Sequence, residues 1–81
     1  MTRYELQAAF ESTIKTATGH NVEIVVSHSI QRGGFISVCG TIAALDAARA
    51  LIEQAGNATF TDRDIDPDDV EQVDFYSLAA S

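Results

Sequence analysis

Residues 21–40 read NVEIVVSHSIQRGGFISVCG, and their alternation decides the fold. From Asn21 to Ser29, Val22, Ile24 and Val26 share one side of an extended chain, and Glu23, Val25 and Ser27 share the other. Successive side chains of a strand point to opposite faces, so this stretch reads as a strand with one buried face. Ser29-Ile30-Gln31-Arg32-Gly33-Gly34 is turn material, and FISVCG, from Phe35 to Gly40, is a second strand, so the pair forms a hairpin. Antiparallel partners on one face have residue numbers of constant sum. Setting Val22, Ile24 and Val26 beside Ile36 and Val38 makes that sum even and gives the loop an odd number of residues. Gly33 or Gly34 then takes the positive-φ position of a bulged turn. The opposite face carries Val25, Phe35 and Cys39 among Glu23, Ser27 and Ser37, half apolar and suited to contact.

Outward from the hairpin, helices flank it on both sides. Thr2-Arg3-Tyr4-Glu5 is a capping box in which Thr2 and Glu5 satisfy each other's orphan amides. Leu6, Ala9, Phe10, Ile14 and Ala17 then recur every three or four residues and Gly19 supplies a left-handed stop, predicting a helix over residues 3–18. After Gly40, Thr41 caps a second helix with the stripe Ile42, Leu45, Ala48, Leu51, Ile52 and Ala55, ended by Gly56. Its alanines favour helix and allow close packing on a sheet. Ala58 to Thr61 is a short third strand. Val73 to Leu78 is a fourth, with Val73 and Phe75 facing one way and Asp74, Tyr76 and Leu78 the other.

The order αββαββ predicts a two-layer α+β domain, residues 1–81, with two amphipathic helices packed on one face of a four-stranded, mainly antiparallel sheet. Joining the termini of a ferredoxin-like βαββαβ domain and reopening it before its first helix gives the same order. The last strand is then central and pairs with Phe35–Gly40.

At 81 residues such a core leaves about 3–5 kcal/mol of net stability. The single cysteine, Cys39, excludes an internal disulfide framework and suits a reducing compartment. The N-terminal residues carry charges rather than the apolar run of a secretory signal, and no stretch approaches the roughly 20 apolar residues of a membrane span. A cytoplasmic location, in a bacterial host cell, is the expectation.

Charge is concentrated between Thr61 and Asp74, TDRDIDPDDVEQVD. Seven of the chain's twelve acids lie there (Asp62, Asp64, Asp66, Asp68, Asp69, Glu71 and Asp74) with one base, Arg63, so seven minus one leaves about −6 of a total of −7. Such a surface repels nucleic acid and membranes, whose recognition needs cationic side chains, and attracts basic proteins or hard cations.

The alternating aspartates resemble the opening of a calcium loop. Counting from Asp62, however, the sixth residue is Pro67 where the helix–loop–helix site needs Gly, and the twelfth is Val73 where it needs a bidentate Glu. A solvated loop, a weak cation site and a docking surface remain open for this segment. General acid–base use of paired carboxylates requires a cleft that separates their pKa values, which a polar surface loop lacks. His20, His28 and Cys39 have no CxxC or HxxxH spacing, and the even-sum register puts Cys39 and His28 on opposite faces. Arg32-Gly33-Gly34 is too short for a phosphate loop, and Gly40-Thr41 at a helix start is a weak anion signal. No cofactor, metal site or catalytic set is read.

In overall character the chain resembles the small acidic anti-CRISPR proteins of phages and prophages. The likeness rests on Asp62, Asp64, Asp66, Asp68, Asp69, Glu71 and Asp74, without a shared motif. It implies a non-enzymatic inhibitor that presents carboxylates to the basic DNA track of a CRISPR surveillance complex or another nucleic-acid-binding protein. Val25, Phe35 and Tyr76 would add apolar contact beside them. The alternative is a small regulatory or assembly domain that self-associates through its open sheet face, making the chain a monomer or a weak homodimer.

Overall fold

Thr2 and Thr41 each start a helix. A computed structural model describes residues 2–27 and 33–78. In it, helix α1 (Arg3–Thr18) begins where Thr2 Oγ1 accepts from the Glu5 amide at 3.2 Å, and helix α2 (Ile42–Ala55) where Thr41 Oγ1 accepts from the Ala44 amide at 3.2 Å. The return arm of the first capping box goes to the Thr2 hydroxyl, which donates to Glu5 Oε1, rather than to the Thr2 amide. Gly19 closes α1 at φ +77°, a left-handed angle that costs glycine nothing. Gly56 closes α2 for a different reason. Its φ is −96°, but a Cβ there would stand 2.7 Å from Phe10 Cζ, so the glycine lets α1 and α2 approach.

The four strands are β1 (Glu23–Val26), β2 (Gly34–Gly40), β3 (Ala58–Asp64) and β4 (Gln72–Leu78). Their order across the sheet is β1-β2-β4-β3, and every neighbouring pair is antiparallel. That is the order and direction of the permuted ferredoxin-like sheet, with the last strand central beside β2. The hairpin register is the even-sum one, with Ile24 opposite Val38 and Val26 opposite Ile36. Gly33 and Gly34 both take positive φ, +75° and +140°. The strand predicted over 21–29 is shorter, and its His28 and Ser29, like Arg32 in the turn, lie outside the described residues.

Both helices lie on one face of the sheet, α1 against β1 and α2 against β3, β2 and β4. Phe10 and Ile14 from α1 and Leu45, Ala48 and Ile52 from α2 meet Ile24, Val26, Ile36, Val38, Tyr76 and Leu78 in one core. Each large apolar side chain so buried contributes on the order of 2 kcal/mol. Ala9 and Ala17, read as part of the α1 stripe, and Ile42 and Ala55 of the α2 stripe are exposed, so the buried stripes are narrower than the apolar ones.

The largest departure from the sequence reading is in β3. Rather than ending at Thr61 it continues to Asp64, with an irregularity between Phe60 and Asp62. Phe60 stands opposite Tyr76, but Asp62, not Thr61, stands opposite Phe75. Thr61 is the extra residue, and its hydroxyl donates to the Phe75 carbonyl at 2.9 Å. Such a bulge shifts the alternation by one. Asp62 and Asp64 thereby turn to the uncovered face and Arg63 turns under the sheet.

Candidate functional site

The uncovered face of the sheet is laid out by the register. One row across the strands runs Glu23, Cys39, Val73, Asp64; the next runs Val25, Ser37, Phe75, Asp62; the third runs Ser27, Phe35, Ser77, Thr59. Val25 and Phe35 are 52% and 59% exposed, and Phe75, Val73 and Cys39 are half-buried beside them on the same face. The serines beside Phe35 and Phe75 leave the rings standing proud, a relief that another surface can interdigitate with. Glu23, Asp64 and Glu71 border this apolar centre at the end where β4 begins, and Asp62 borders it on the β3 side in the row of Val25 and Phe75. No Lys or Arg stands on the face among the described residues.

Beyond that end, residues 65–71 form a loop held from within. Gln72 is buried at its base, and its Nε2 donates to the Asp66 carbonyl at 3.0 Å and to the Asp69 carbonyl at 2.9 Å. Its Oε1 accepts from the Asp66 amide at 2.5 Å. The Asp68 amide donates to Asp66 Oδ1, and the Asp69 amide to the Asp66 carbonyl. The loop therefore presents Asp66, Asp68, Asp69 and Glu71 in a fixed arrangement. It also carries two exposed apolar side chains, Ile65 at 58% and Val70 at 80%.

Asp74 and Tyr76 do not belong to this surface. Both are fully buried, on the helix-covered side of β4 with Leu78. Arg63 reaches Asp74 through the bulged strand, Nε to Oδ1 at 2.6 Å and Nη2 to Oδ2 at 3.1 Å, and extends Nη2 to Asp46 Oδ1 of α2 at 2.7 Å. These bonds, to Asp74 first and Asp46 second, hold the Arg63 guanidinium well above its ordinary pKa. The Tyr76 ring meets Phe60 edge-on, with centroids 5.6 Å apart, and its hydroxyl has no hydrogen-bond partner among the described residues. Asp74 and Tyr76 are thus structural residues, set inside by the alternation they share with Leu78. Five acids on or beside the exposed segment, Asp62, Asp64, Asp66, Asp68 and Asp69, remain surface groups together with Glu71.

Cys39 Sγ donates to Glu71 Oε2 at 3.3 Å. Burial, then this hydrogen bond and the charges of Glu71, Glu23 and Asp69, push its thiol pKa up from the ordinary 9.0. A thiol held protonated is a poor nucleophile and a poor metal ligand. Among the described residues, no group of three or more His, Cys, Asp and Glu side chains is arranged to hold a metal ion, and no helix is long and apolar enough to cross a membrane. The arrangement suits non-covalent contact: a firm apolar centre, a one-sided carboxylate border and a stapled loop.

Phe75, Ile65 and Val70 are the contact candidates that the sequence reading missed. Phe75 could have been found by adding the fourth strand to the hairpin register, since Phe75 shares Val73's face. Ile65 and Val70 stand alone among acids, and their exposure follows only from the loop's fold. No family model, curated protein or solved structure matches this chain.

Proposed function

We propose that this protein is a non-enzymatic inhibitor that binds a basic nucleic-acid-binding protein, such as a CRISPR surveillance complex, on the surface meant for nucleic acid. The observation that carries the reading is the continuity of the uncovered apolar sheet face with Asp62, Asp64 and the stapled loop. Carboxylates on a firm frame reproduce the charge of a phosphate row, and exposed rings beside them supply the desolvated contacts that hold a complex. The acidic border accelerates encounter with a basic groove and sets the salt dependence. The same charge repels DNA, RNA and anionic membranes. The site of action on this reading is the cytoplasm of a bacterial cell.

The test is competition. A purified CRISPR surveillance complex, bound to labelled target DNA, is challenged with the wild-type chain and with the triple variant Asp64→Asn, Asp66→Asn, Asp68→Asn at low and moderate salt. Displacement of DNA by the wild type, weakened in the variant and by salt, is the expected result. A panel of basic nucleic-acid-binding proteins from which the wild type displaces nothing at low salt would sink the reading.

Self-association through the same face is the second reading, favoured by the exposure of Val25 and Phe35. Two copies meeting there bring carboxylate borders of one sign together, which opposes a stable dimer. Mass in solution separates the two readings.

A further inference from the structure

Both edges of the sheet are blunted. Ser27 donates its amide to the Phe35 carbonyl at 2.9 Å, so Glu23, Val25 and Ser27 direct their backbone groups at β2, and Ile24 and Val26 direct theirs outward. Those outward amides are already engaged: Ile24 N–H donates to Glu11 Oε2 at 2.9 Å and Val26 N–H to Gln7 Oε1 at 3.0 Å. Glu11 and Gln7 lie one turn apart on α1, so a single helix face closes the β1 edge. At the β3 edge, the bulge between Phe60 and Asp62 breaks the ladder, and the Arg63 amide donates to its neighbour's carboxylate, Asp62 Oδ1, at 2.8 Å. Pairing a new strand to either edge meets occupied donors or a broken register. Binding by strand addition is therefore disfavoured, and a partner must engage the face through side chains.

We infer that the uncovered face takes a basic amphipathic α-helix of the partner protein, seated on Val25, Phe35 and Phe75 with its Lys and Arg residues over Glu23, Asp62, Asp64 and Glu71. This deepens the proposed function and rests on it for the choice of a basic partner. Size supports a helix: strands lie about 4.8 Å apart, so a helix about 10 Å across spans β1, β2 and β4, the strands that carry the three apolar side chains. The charge pattern gives a direction. Glu23, Asp64 and Glu71 lie at the end of the face where β4 begins, whereas the opposite row of Ser27, Phe35, Ser77 and Thr59 is uncharged. The helix therefore places most of its cations at one end of its apolar stripe, with one flanking the stripe beside Asp62. A second copy of this chain offers no such cationic element among its described residues: α1 contains Arg3 and Lys15, with Glu5 and Glu11 between them, and α2 contains Arg49 paired with Glu53 at 2.9 Å.

The test uses the full chain, isotopically labelled and titrated with three synthetic peptides of about five helical turns. One carries a leucine stripe with lysines at one end, the second has glutamates in place of the lysines, and the third is the lysine peptide broken by a central proline. Saturable shifts at Val25, Phe35, Ser37 and Phe75 with the first peptide alone are expected. The double variant Val25→Ser, Phe35→Ser, both exposed positions that spare the core, should weaken that binding roughly tenfold or more. Equal binding of the proline-broken peptide, shifts confined to β3 or the 65–71 loop, no binding of the lysine peptide, or a Phe35-dependent dimer would each overturn the inference. DNA displacement in the competition assay that survives the double variant also overturns it while leaving the proposed function standing. Peptide binding on the face without any DNA displacement does the reverse.

Discussion

The Arg63 guanidinium grips both oxygens of Asp74, one at 2.6 Å and one at 3.1 Å, across two strands of the sheet. The carboxylate is fully buried and the guanidinium about one-fifth exposed. Removing one partner of a buried pair strands the other's charge, at a cost of about 3–5 kcal/mol, whereas replacing both by apolar groups is often neutral. Arg63→Met should therefore lower unfolding free energy by about 3 kcal/mol, and the double change Arg63→Met, Asp74→Leu should recover most of it. Urea unfolding of the three chains checks this.

Tyr76 carries the alkaline prediction. Burial, then the nearby Asp74 carboxylate, pushes its phenol from the ordinary 10.0 to about 12. Between those values the unfolded chain releases the proton and the folded one keeps it, so stability is intact below pH 10 and declines as pH rises towards about 12. Tyr76→Phe removes that decline and also removes a buried hydroxyl that has no partner among the described residues. The variant should match or exceed wild-type stability at neutral pH and lose less than wild type between pH 10 and 12, as read by chemical denaturation at each pH.

Gln72 fixes the acidic loop, so Gln72→Ala should loosen it without unfolding the domain. The Asp66 and Asp69 carbonyls and the Asp66 amide lose their side-chain partner. Amide exchange at Asp66 should accelerate at least tenfold, a local opening made easier by about 1.4 kcal/mol or more. Exchange in β2 and β4 should change far less. Uniform acceleration across the sheet would contradict a local role.

Gly56→Ala tests the contact between the helices. The added methyl must displace the Phe10 ring, which is buried, and overpacking of this kind costs about 1–3 kcal/mol. Adding Phe10→Leu should return part of the loss, measured by thermal unfolding. Recovery separates this crowding from a helix-ending effect, which the −96° φ of Gly56 does not require.

Cys39 should alkylate slowly. Its thiol is held protonated by burial and by Glu71, so iodoacetamide at pH 8 should react more slowly than with a free cysteine, and Glu71→Gln should raise the rate. Thiol titration over time distinguishes the two chains. A rate unaffected by Glu71 would leave burial and the charges of Glu23 and Asp69 as the causes.

How much of this was legible in the chain differs by element. The helices, the hairpin register and the central place of the last strand follow from Thr caps, three- and four-residue spacing and the even sum of Ile24 with Val38. Those signals are local, or fix a single pairing. From composition alone the acidic segment reads as one surface, because its charge dominates. In fact it is part strand, part loop and part interior. Asp74 alternates with Tyr76 and Leu78, a face that a carboxylate enters only with a cation, and Arg63 was the one base in the segment. The pairing was within reach of that logic. The bulge at Thr61 was not, because an extra residue in one strand leaves no compositional mark. Without it, plain alternation sends Arg63 to the wrong face. Phe75 needed the pairing of β2 with β4 before its exposure meant anything.

That single extra residue separates two kinds of change over evolutionary time. Substitutions at Asp62 or Asp64 alter what the outer surface says to a partner and leave the interior untouched. Thr61 behaves differently: deleting it closes the bulge and leaves Asp62 opposite Phe75 and Arg63 opposite Asp74, whereas pairing it in a plain ladder swings both carboxylates towards the core and throws Arg63 out, leaving Asp74 bare. The message of this strand is thus free to be rewritten letter by letter, but the register of Asp62 and Arg63 against β4 is pinned by the fold it belongs to.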